Sequence, residues 1–256
     1  MLIKRSFAII ISLFLVFSVV TGCSNSAASS DTSSESGNDG KDGNDGKNGG
    51  NGNNGNNGSD FVDNLKPAIG KIYYSDGTAS YSYFADKKPV GFVASINADG
   101  SVDTIIALEQ SPNKISFGYD GTSEVTTTEN DGEANCAEII EKKANGPAVG
   151  YCRQYDAGIK GFEAGKWYLP ARKELLTIAD NEDLFTESQL ALIKNGYRFD
   201  RFSKTNYWTS TLFVTTYTDR KNRMFWVVNL TTGEDFYSTK SNEYNVRPMY
   251  KFHYNN

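Results

Sequence analysis

Apolar residues alternate with polar ones, or run together, in two groups of short segments. Aromatic and β-branched residues dominate these segments and turn residues bound them, which is typical of β-strands. Asn97-Ala98-Asp99-Gly100 and Thr231-Thr232-Gly233-Glu234 are predicted to be hairpin turns. The predicted strands are 71–74, 89–96 and 104–108 in the first group, and 206–210, 224–230, 235–237 and 245–252 in the second.

Helical periodicity appears between the two groups of strands. Residues 134–143 place Cys136, Ile139 and Ile140 on one face of a helix. Pro170 is suited to the first position of a second helix, because that position does not need a backbone N–H group.

A third helix has the clearest start and stop signals. Thr186-Glu187-Ser188-Gln189 has the spacing of a capping box, Phe185 and Leu190 are placed to pack across it, and Gly196 is suited to ending the helix. The order of elements is strands, then two to three helices, then strands again. This order predicts an α+β domain with antiparallel sheets, in which the beginning and the end of the domain meet in one sheet.

The first residues have the features of an export signal. Lys4 and Arg5 precede an apolar run over 7–20, and the run ends at Thr21-Gly22-Cys23. The run is shorter than the ~20 apolar residues of a membrane-spanning helix. Its end resembles the bacterial lipobox, in which the cysteine is acylated, with palmitate for example, and becomes the first residue. We expect a lipoprotein signal peptide over 1–22 and a lipid anchor on Cys23, with an ordinary signal peptide as the alternative.

A low-complexity tether is predicted over 23–60, and a folded domain over 61–256. Glycine occupies every third position from Gly37 to Gly58, the repeat that a collagen triple helix requires. No triplet contains proline, so a short triple helix should be marginal. A disordered spacer spanning ~25–30 Å and a trimerising stalk are both open alternatives.

Charge and composition exclude several classes of protein. The net charge is −5, and loss of Lys4 and Arg5 with the signal leaves 24 of the 26 basic residues against 31 acidic ones, or −7. This balance argues against non-specific binding of nucleic acid. His253 is the only histidine, which nearly excludes histidine-ligated metals and histidine-based catalytic triads. Cys136 and Cys152 are predicted to form a disulfide worth ~3 kcal/mol, with two buried free thiols as the alternative.

Five segments together resemble a known bacterial family. The order and spacing of these segments are similar to the C-terminal domain of collagen-like bacterial adhesins, related to the variable proteins of diversity-generating retroelements. The resemblance covers about residues 70–252 and implies a C-type-lectin-like fold on a surface binding module; some collagen-like members bind sulfated glycosaminoglycans. The segments are 131–135, 148–152, 167–175, 206–211 and 246–252, of which W-x-LP-x-x-x-EL at 167–175 and YWTS at 207–210 are the most specific.

Two departures from related proteins limit the chemistry. The EPN or QPD triplet and the WND triplet of calcium-dependent lectins are absent, and Trp226-Val227-Val228-Asn229 lacks the adjacent Asn-Asp pair. The paired cysteines of formylglycine-generating enzymes have no counterpart near the C-terminus. We therefore expect no metal, no cofactor and no catalytic residue.

Large apolar residues and acidic groups have simple structural explanations. The acidic groups Glu133/Glu138/Glu141 and Asp180/Glu182/Asp183 fit solvated helix faces and caps, although a carboxylate pair for glycoside hydrolysis stays open. The residues predicted to pack the core are Trp167, Leu169, Leu175, Trp208, Phe225 and Trp226.

Two segments contain candidate ligand-binding residues. Residues 194–223 carry a local charge of +5 with tyrosines interleaved; arginine offers a fork for sulfate or carboxylate, and tyrosine a face for sugar rings. A basic solubilising surface is the alternative. The candidates taken from this segment are Arg198, Arg201, Tyr207, Tyr217, Arg220, Lys221 and Arg223.

The second segment, 235–245, mixes Tyr, Ser and Asn as adaptable recognition loops do, with an ordinary hairpin loop as the alternative. Its candidates are Tyr237, Ser238, Lys240, Asn242 and Tyr244.

These observations favour a lipid-anchored protein of the cell envelope, at the outer membrane and exposed at the surface. We expect its domain to bind a host or cell-surface glycan or protein, an anionic glycan being one candidate, and to catalyse no reaction. A homotrimer is a possible assembly. A structural envelope lipoprotein and, behind it, a carboxylate-based hydrolase are the alternatives.

Overall fold

The computed structural model describes residues 65–118, 125–142, 146–214 and 224–254, all within the unit Gly58–Asn256. The predicted signal peptide, Cys23 and the tether lie outside the described residues, as do the candidates Tyr217, Arg220, Lys221 and Arg223.

The described chain contains eleven strands and four helices. The strands are β1 (Ile72–Tyr74), β2 (Ala79–Ser80), β3 (Pro89–Ile96), β4 (Val102–Ala107), β5 (Ile115–Ser116), β6 (Trp167–Tyr168), β7 (Asn206–Leu212), β8 (Met224–Asn229), β9 (Asp235–Thr239), β10 (Glu243–Tyr244) and β11 (Met249–Lys251). The helices are α1 (Gly132–Glu141), α2 (Pro147–Gln154), α3 (Arg172–Asp180) and α4 (Glu182–Lys194).

The largest sheet joins the beginning of the domain to its end. Its order is β2-β1-β3-β4-β11-β6, and all of its pairs are antiparallel. The last strand, β11, pairs with β4 from the first group of strands, which confirms that the two ends meet in one sheet. Both predicted hairpin turns are present, between β3 and β4 and between β8 and β9.

A three-stranded sheet, β7-β8-β9, and a two-stranded ribbon, β10-β5, complete the β structure. Phe117 follows β5 and stacks on Phe225 of β8 with ring centroids 3.5 Å apart. The indole Nε1 of Trp208 donates to the carbonyl of Ile115 at 2.9 Å. The ribbon therefore covers one face of the three-stranded sheet.

The helices correct three details of the prediction. Four helices are present instead of two to three, because the eight-residue helix α2, which begins at Pro147, was not predicted. Pro170 lies before α3, and Ala171 is the N-cap. Helix α4 begins at Glu182, not at Thr186. The hydroxyl of Thr186 donates to the carboxylate of Glu182 at 2.7 Å, so Thr186 does not cap the helix.

The end of α4 follows the prediction, but its predicted apolar staple is wrong. Gly196 has a φ of 69°, the left-handed conformation that ends a helix. Phe185 is fully buried, whereas Leu190 is 43% exposed. Because α4 begins earlier, both residues lie inside the helix, five positions and about 140° apart around its axis, and cannot pack across its start.

The predicted core is confirmed with one exception. Trp167, Trp208 and Phe225 are at most 2% exposed, and Leu169 and Leu175 are fully buried. Trp226 is half-buried and lies outside the core, since it points away from the ribbon.

Both domain cysteines are free and buried, so the predicted disulfide is wrong and its alternative holds. The Sγ of Cys136 accepts a hydrogen bond from the backbone N–H of Leu169 at 3.2 Å. Burial raises the pKa of Cys136 to about 12 and that of Cys152 well above its ordinary value. The thiols therefore pack as small apolar groups between α1, α2 and the β6–α3 segment.

Within the described ranges, no helix is long and apolar enough to cross a membrane. The same ranges contain no group of three or more His, Cys, Asp or Glu residues placed to hold a metal ion.

Candidate functional site

Three aromatic side chains form a surface on the face of the three-stranded sheet that points away from the ribbon. Residues of a strand alternate between faces, and because Phe225 and Val227 point to the core, Trp226 points outward. Tyr237 of β9 is the cross-strand partner of Trp226 and shares its face. Phe213 follows β7 and completes the group. We call Phe213, Trp226 and Tyr237 the aromatic shelf.

The rings of the aromatic shelf hold one another in fixed orientations. Tyr237 stacks on Phe213 with centroids 3.9 Å apart and planes 10° apart. Trp226 meets Phe213 and Tyr237 edge-on, at 5.5 and 6.0 Å. Tyr237 nevertheless stays 49% exposed. One face of its ring is covered by Phe213, so its exposed part is the opposite face and the rim.

Arg172, the first residue of α3, covers the other side of Trp226. Its guanidinium carbon lies 3.9 Å from the centroid of the indole ring, a cation–π contact. The Nε donates to Asp235 Oδ2, and Nη1 donates to Glu129 Oε1 at 2.8 Å. The neighbouring Lys173 Nζ lies 3.3 Å from Glu129 Oε2. Among the described residues, the rim of the shelf therefore contains two cations and two carboxylates, whose charges sum to zero.

The carboxylate of Glu129 stays ionised near neutral pH. Partial burial acts to raise the pKa of Glu129, but hydrogen bonds and attraction from Lys173 and Arg172 outweigh it and hold the pKa below its ordinary value. The ion pairs of Arg172 with Asp235 and Glu129 hold its guanidinium over the ring of Trp226.

Glu174 fixes the start of α3 and thereby the position of Arg172. Ala171 has no polar side chain to cap the helix, and Glu174 accepts from its backbone N–H at 2.7 Å. The same carboxyl accepts from Gly132 N of α1 at 3.1 Å and from the hydroxyl of Tyr168 at 2.9 Å. Burial raises the pKa of Glu174 to about 7, although these three donors lower it.

The strand β7 is tied to the same corner. Arg172 N donates to Thr211 Oγ1 at 2.9 Å, and Ser210 N donates to the carbonyl of Pro170 at 2.8 Å. The segments 167–175 and 206–211, which are far apart in the chain, therefore meet beside the aromatic shelf.

These two segments are among the marks of a single family. The family model of the Lcl C-terminal domain matches residues 112–250, more than half of the chain. The chain belongs to this family. The resemblance was expected to begin near residue 70, and the match begins later, so β1 to β4 lie outside it. None of the curated proteins compared with the chain matches it.

The structure of this Lcl C-terminal domain divides the predicted basic segment. Arg198, Arg201 and Lys204 are exposed in the loop before β7, and none has an ion-pair partner among the described residues. Arg220, Lys221 and Arg223 belong to the part of the chain between Val214 and Met224, which follows the far end of β7 and is not described. The loop that carries Arg198, Arg201 and Lys204 enters β7 at one end, and the segment with Arg220, Lys221 and Arg223 leaves from the other. The seven residues of β7 separate these two ends by about 20 Å.

Tyr207, which was predicted to bind ligand, is buried inside the domain. Its ring is fully buried and its hydroxyl donates to Gln110 Oε1 at 2.6 Å. It lies opposite Val228, on the face of the sheet that also carries Trp226, but at a part of that face that is covered.

We call the loop before β7, which carries Arg198, Arg201 and Lys204, the basic loop. A buried arginine that was not predicted holds it in place. Arg247 is fully buried, its Nη2 donates to the carbonyl of Asp200 at 2.7 Å, and its Nη1 donates to the carbonyl of Ala107 at 3.1 Å. Its guanidinium carbon lies 4.8 Å from the ring centroid of Phe202. The loop before β7 is therefore anchored to the large sheet.

The second predicted segment contributes one residue to the aromatic shelf. Tyr237 points outward, whereas Ser238 is buried and lies 3.1 Å from the hydroxyl of Tyr244. Tyr244 packs edge-on against Trp208 at 4.8 Å. Ser238 and Tyr244 therefore contribute to the internal packing of the hairpin, and their role in ligand binding stays a prediction. Lys240 and Asn242 lie in the β9–β10 turn.

Three residues of the site were missed: Arg172, Phe213 and Trp226. The available signal was the alternation in β8, where Trp226 stands between two residues that face the core. Read with the predicted β8–β9 hairpin, it would have placed Trp226 beside Tyr237.

Proposed function

We propose that this chain is a lipid-anchored protein of the bacterial cell surface, whose Lcl C-terminal domain binds a glycan of a host or neighbouring cell without calcium. The family suggests an adhesin-like role. The observation that carries the proposal is the aromatic shelf. The ring of Tyr237 is exposed and supported by Phe213, and charged groups of both signs lie around it.

The shelf suits sugar recognition for physical reasons. The C–H groups of a pyranose ring pack against an aromatic face, and its hydroxyls need both donors and acceptors around that face. Because the rings already support one another, little conformational entropy is lost when a ligand binds. This function needs no catalytic residue, and the partly buried acid Glu174 is occupied by three donors.

An anionic glycan would find its cations in the basic loop. Arg198, Arg201 and Lys204 are exposed there, and the undescribed residues Arg220, Lys221 and Arg223 are candidates from the sequence alone. Neutralisation of such charges makes binding fall steeply with salt. Heparin retention that is lost at high salt, and reduced by Arg201→Gln, would support this version.

The proposal is tested with the full chain carrying Cys23→Ser, so that the lipid does not interfere. Binding to an array of neutral, carboxylated and sulfated glycans is measured in the presence of EDTA. We expect binding to a defined glycan class that EDTA leaves unchanged. Binding to no glycan, or only with calcium, would contradict the proposal.

The anchor and the assembly are separate parts of the proposal. We expect incorporation of radiolabelled palmitate that Cys23→Ser abolishes, with the Cys136→Ser variant as control. If the Gly-x-y repeat forms a stalk, deletion of 37–60 will convert a homotrimer to a monomer in sedimentation.

A second candidate function, a structural envelope lipoprotein that binds a protein partner, is favoured by α4. Leu190 and Ile193 of this helix are 43% and 39% exposed. Leu190 lies beside a cleft of about 330 Å³ lined in part by Tyr81 and Tyr83. Apolar surface of this kind is typical of protein contacts. Photocrosslinking from position 190 to one stoichiometric partner would favour this candidate.

A further inference from the structure

We propose that the aromatic shelf binds an uncharged pyranose of a glycan, which stacks on the open face of Tyr237, and that it does not take a sulfated or carboxylated sugar. This inference rests on the proposed function and names the ligand class of the same site.

The first argument is the geometry of Tyr237. Phe213 covers one face of the ring in a parallel stack at 3.9 Å, while the side chain stays 49% exposed. Trp226 stands edge-on to this pair and limits sideways movement. The open face of Tyr237 is flat and apolar, and Phe213 supports the ring on its other side. Such a face has the size of the apolar face of a single pyranose.

The second argument is that the N–H groups of Arg172 already have carboxylate partners. An arginine receives a sulfate or carboxylate on two adjacent N–H groups, along the Nε–Nη2 edge or along the Nη1–Nη2 edge. In this site Asp235 occupies Nε and Glu129 occupies Nη1, so each edge already holds a carboxylate. The face of the guanidinium lies on Trp226. No two-point site for an anion is left on Arg172.

The third argument is the charge of the rim. Lys173, the other described cation of the rim, is also paired with Glu129, so the described cations and carboxylates of the rim balance. An anion at Tyr237 would approach Asp235, two positions earlier on the same face of β9, whereas Arg172 and Lys173 already have carboxylate partners. A neutral sugar meets no such repulsion.

The fourth argument is the hydrogen-bonding capacity around the ring. Among the described residues, the hydroxyl of Tyr237, the indole Nε1 of Trp226 and Oδ1 of Asp235 have no hydrogen-bond partner. They offer a donor and acceptor, a donor, and an acceptor. Sugar hydroxyls can satisfy all three, whereas a purely apolar ligand would leave them unpaired.

The experiment measures binding of the full chain with Cys23→Ser to two sets of soluble probes. One set contains neutral oligosaccharides of glucose, mannose, galactose and N-acetylglucosamine, and the other contains heparin and hyaluronan fragments. Affinities are measured by calorimetry at 50 and 500 mM NaCl. We expect a neutral probe to bind with an affinity that salt changes by less than about twofold.

Variants connect this binding to the shelf. Tyr237→Ala should weaken the neutral probe at least about tenfold, and Tyr237→Phe far less, because the phenyl ring keeps the stacking face. Tyr254→Ala is the matched control, since Tyr254 is 52% exposed and stacks on Phe252 away from the shelf. Unchanged melting temperatures show that the variants are folded.

The outcomes separate the two proposals. Binding of heparin alone, with strong salt dependence and no effect of Tyr237→Ala, overturns this inference and keeps the proposed function. A neutral sugar bound equally well by Tyr237→Ala also overturns the inference alone. Binding of no glycan overturns both, and a proline-rich peptide that competes for Tyr237 overturns the glycan assignment of the shelf.

Discussion

Around Trp226, the two faces of the three-stranded sheet are built from alternating residues of the same strands, and one face is buried while the other is partly exposed. On one face Phe225 stacks against Phe117 under the β10-β5 ribbon and is fully buried. On the other face Trp226, the next residue, is half-buried beneath Arg172, and its cross-strand partner Tyr237 is half exposed. Similar aromatic residues thus stabilise the fold on one face and form a candidate binding surface on the other.

The largest expected effect separates the two faces by stability. Phe225→Ala should lower the free energy of unfolding by about 3–5 kcal/mol, since it leaves a cavity against Phe117. Trp226→Ala should cost about 1–2 kcal/mol, because the indole is only partly buried. Urea unfolding followed by circular dichroism measures both. Equal losses would show that the outer face is part of the core.

A smaller effect concerns the support of the outer face by Glu174. Its pKa is raised to about 7, so the folded state holds the proton more tightly than the unfolded state. The stabilisation is therefore complete below about pH 4.5 and is lost as the pH rises through about 7. We expect a decrease of about 1–3 kcal/mol in unfolding free energy between pH 5 and 8 from this group.

The control for this prediction is Glu174→Gln, which keeps the shape and cannot titrate. Its pH profile should be flatter than that of the unchanged chain over the same range. A parallel profile for both chains would mean that Glu174 is ionised throughout.

A third prediction tests whether Arg172 and Trp226 act together. In a double-mutant cycle of Arg172→Ala and Trp226→Ala, the coupling energy should be about 0.5–1 kcal/mol, the range of a partly exposed cation–π pair. Phe225→Ala should show no coupling to Arg172→Ala, since Phe225 faces the other way. Additive effects for the first pair would show that the observed contact contributes nothing.

The smallest expected change is at the basic loop. Arg201→Gln should alter the unfolding free energy by less than about 0.5 kcal/mol, because the side chain is exposed and has no ion-pair partner among the described residues. Arg247→Met, in contrast, removes the anchor of the same loop, and hydrogen exchange of residues 198–204 should increase. Unchanged exchange would show that the loop does not depend on Arg247.

Much of the fold could be read from local patterns. Alternation and turn residues located the long strands and both hairpin turns, and the order of elements predicted an α+β domain with its ends in one sheet. The short strands β2, β5, β6 and β10 were missed, because each has two residues, too few to show a periodicity. The predicted start of α4 was wrong. Thr186 to Gln189 has the spacing of a capping box, but Thr186 lies inside the helix and its hydroxyl donates to the carboxylate of Glu182.

The site could be predicted only in part, for a physical reason. The sequence by itself determined that the neighbours Phe225 and Trp226 lie on opposite faces of a predicted strand. It also named Tyr237 as a candidate and carried the marks of a family at 167–175 and 206–211. Tertiary structure alone decided that the ribbon would cover the face that carries Phe225 and Ser238. It also decided that Tyr207 would be buried at one part of the opposite face, while Trp226 and Tyr237 stay accessible at another part. Periodicity is a property of one strand, whereas burial depends on what distant parts of the chain pack against it.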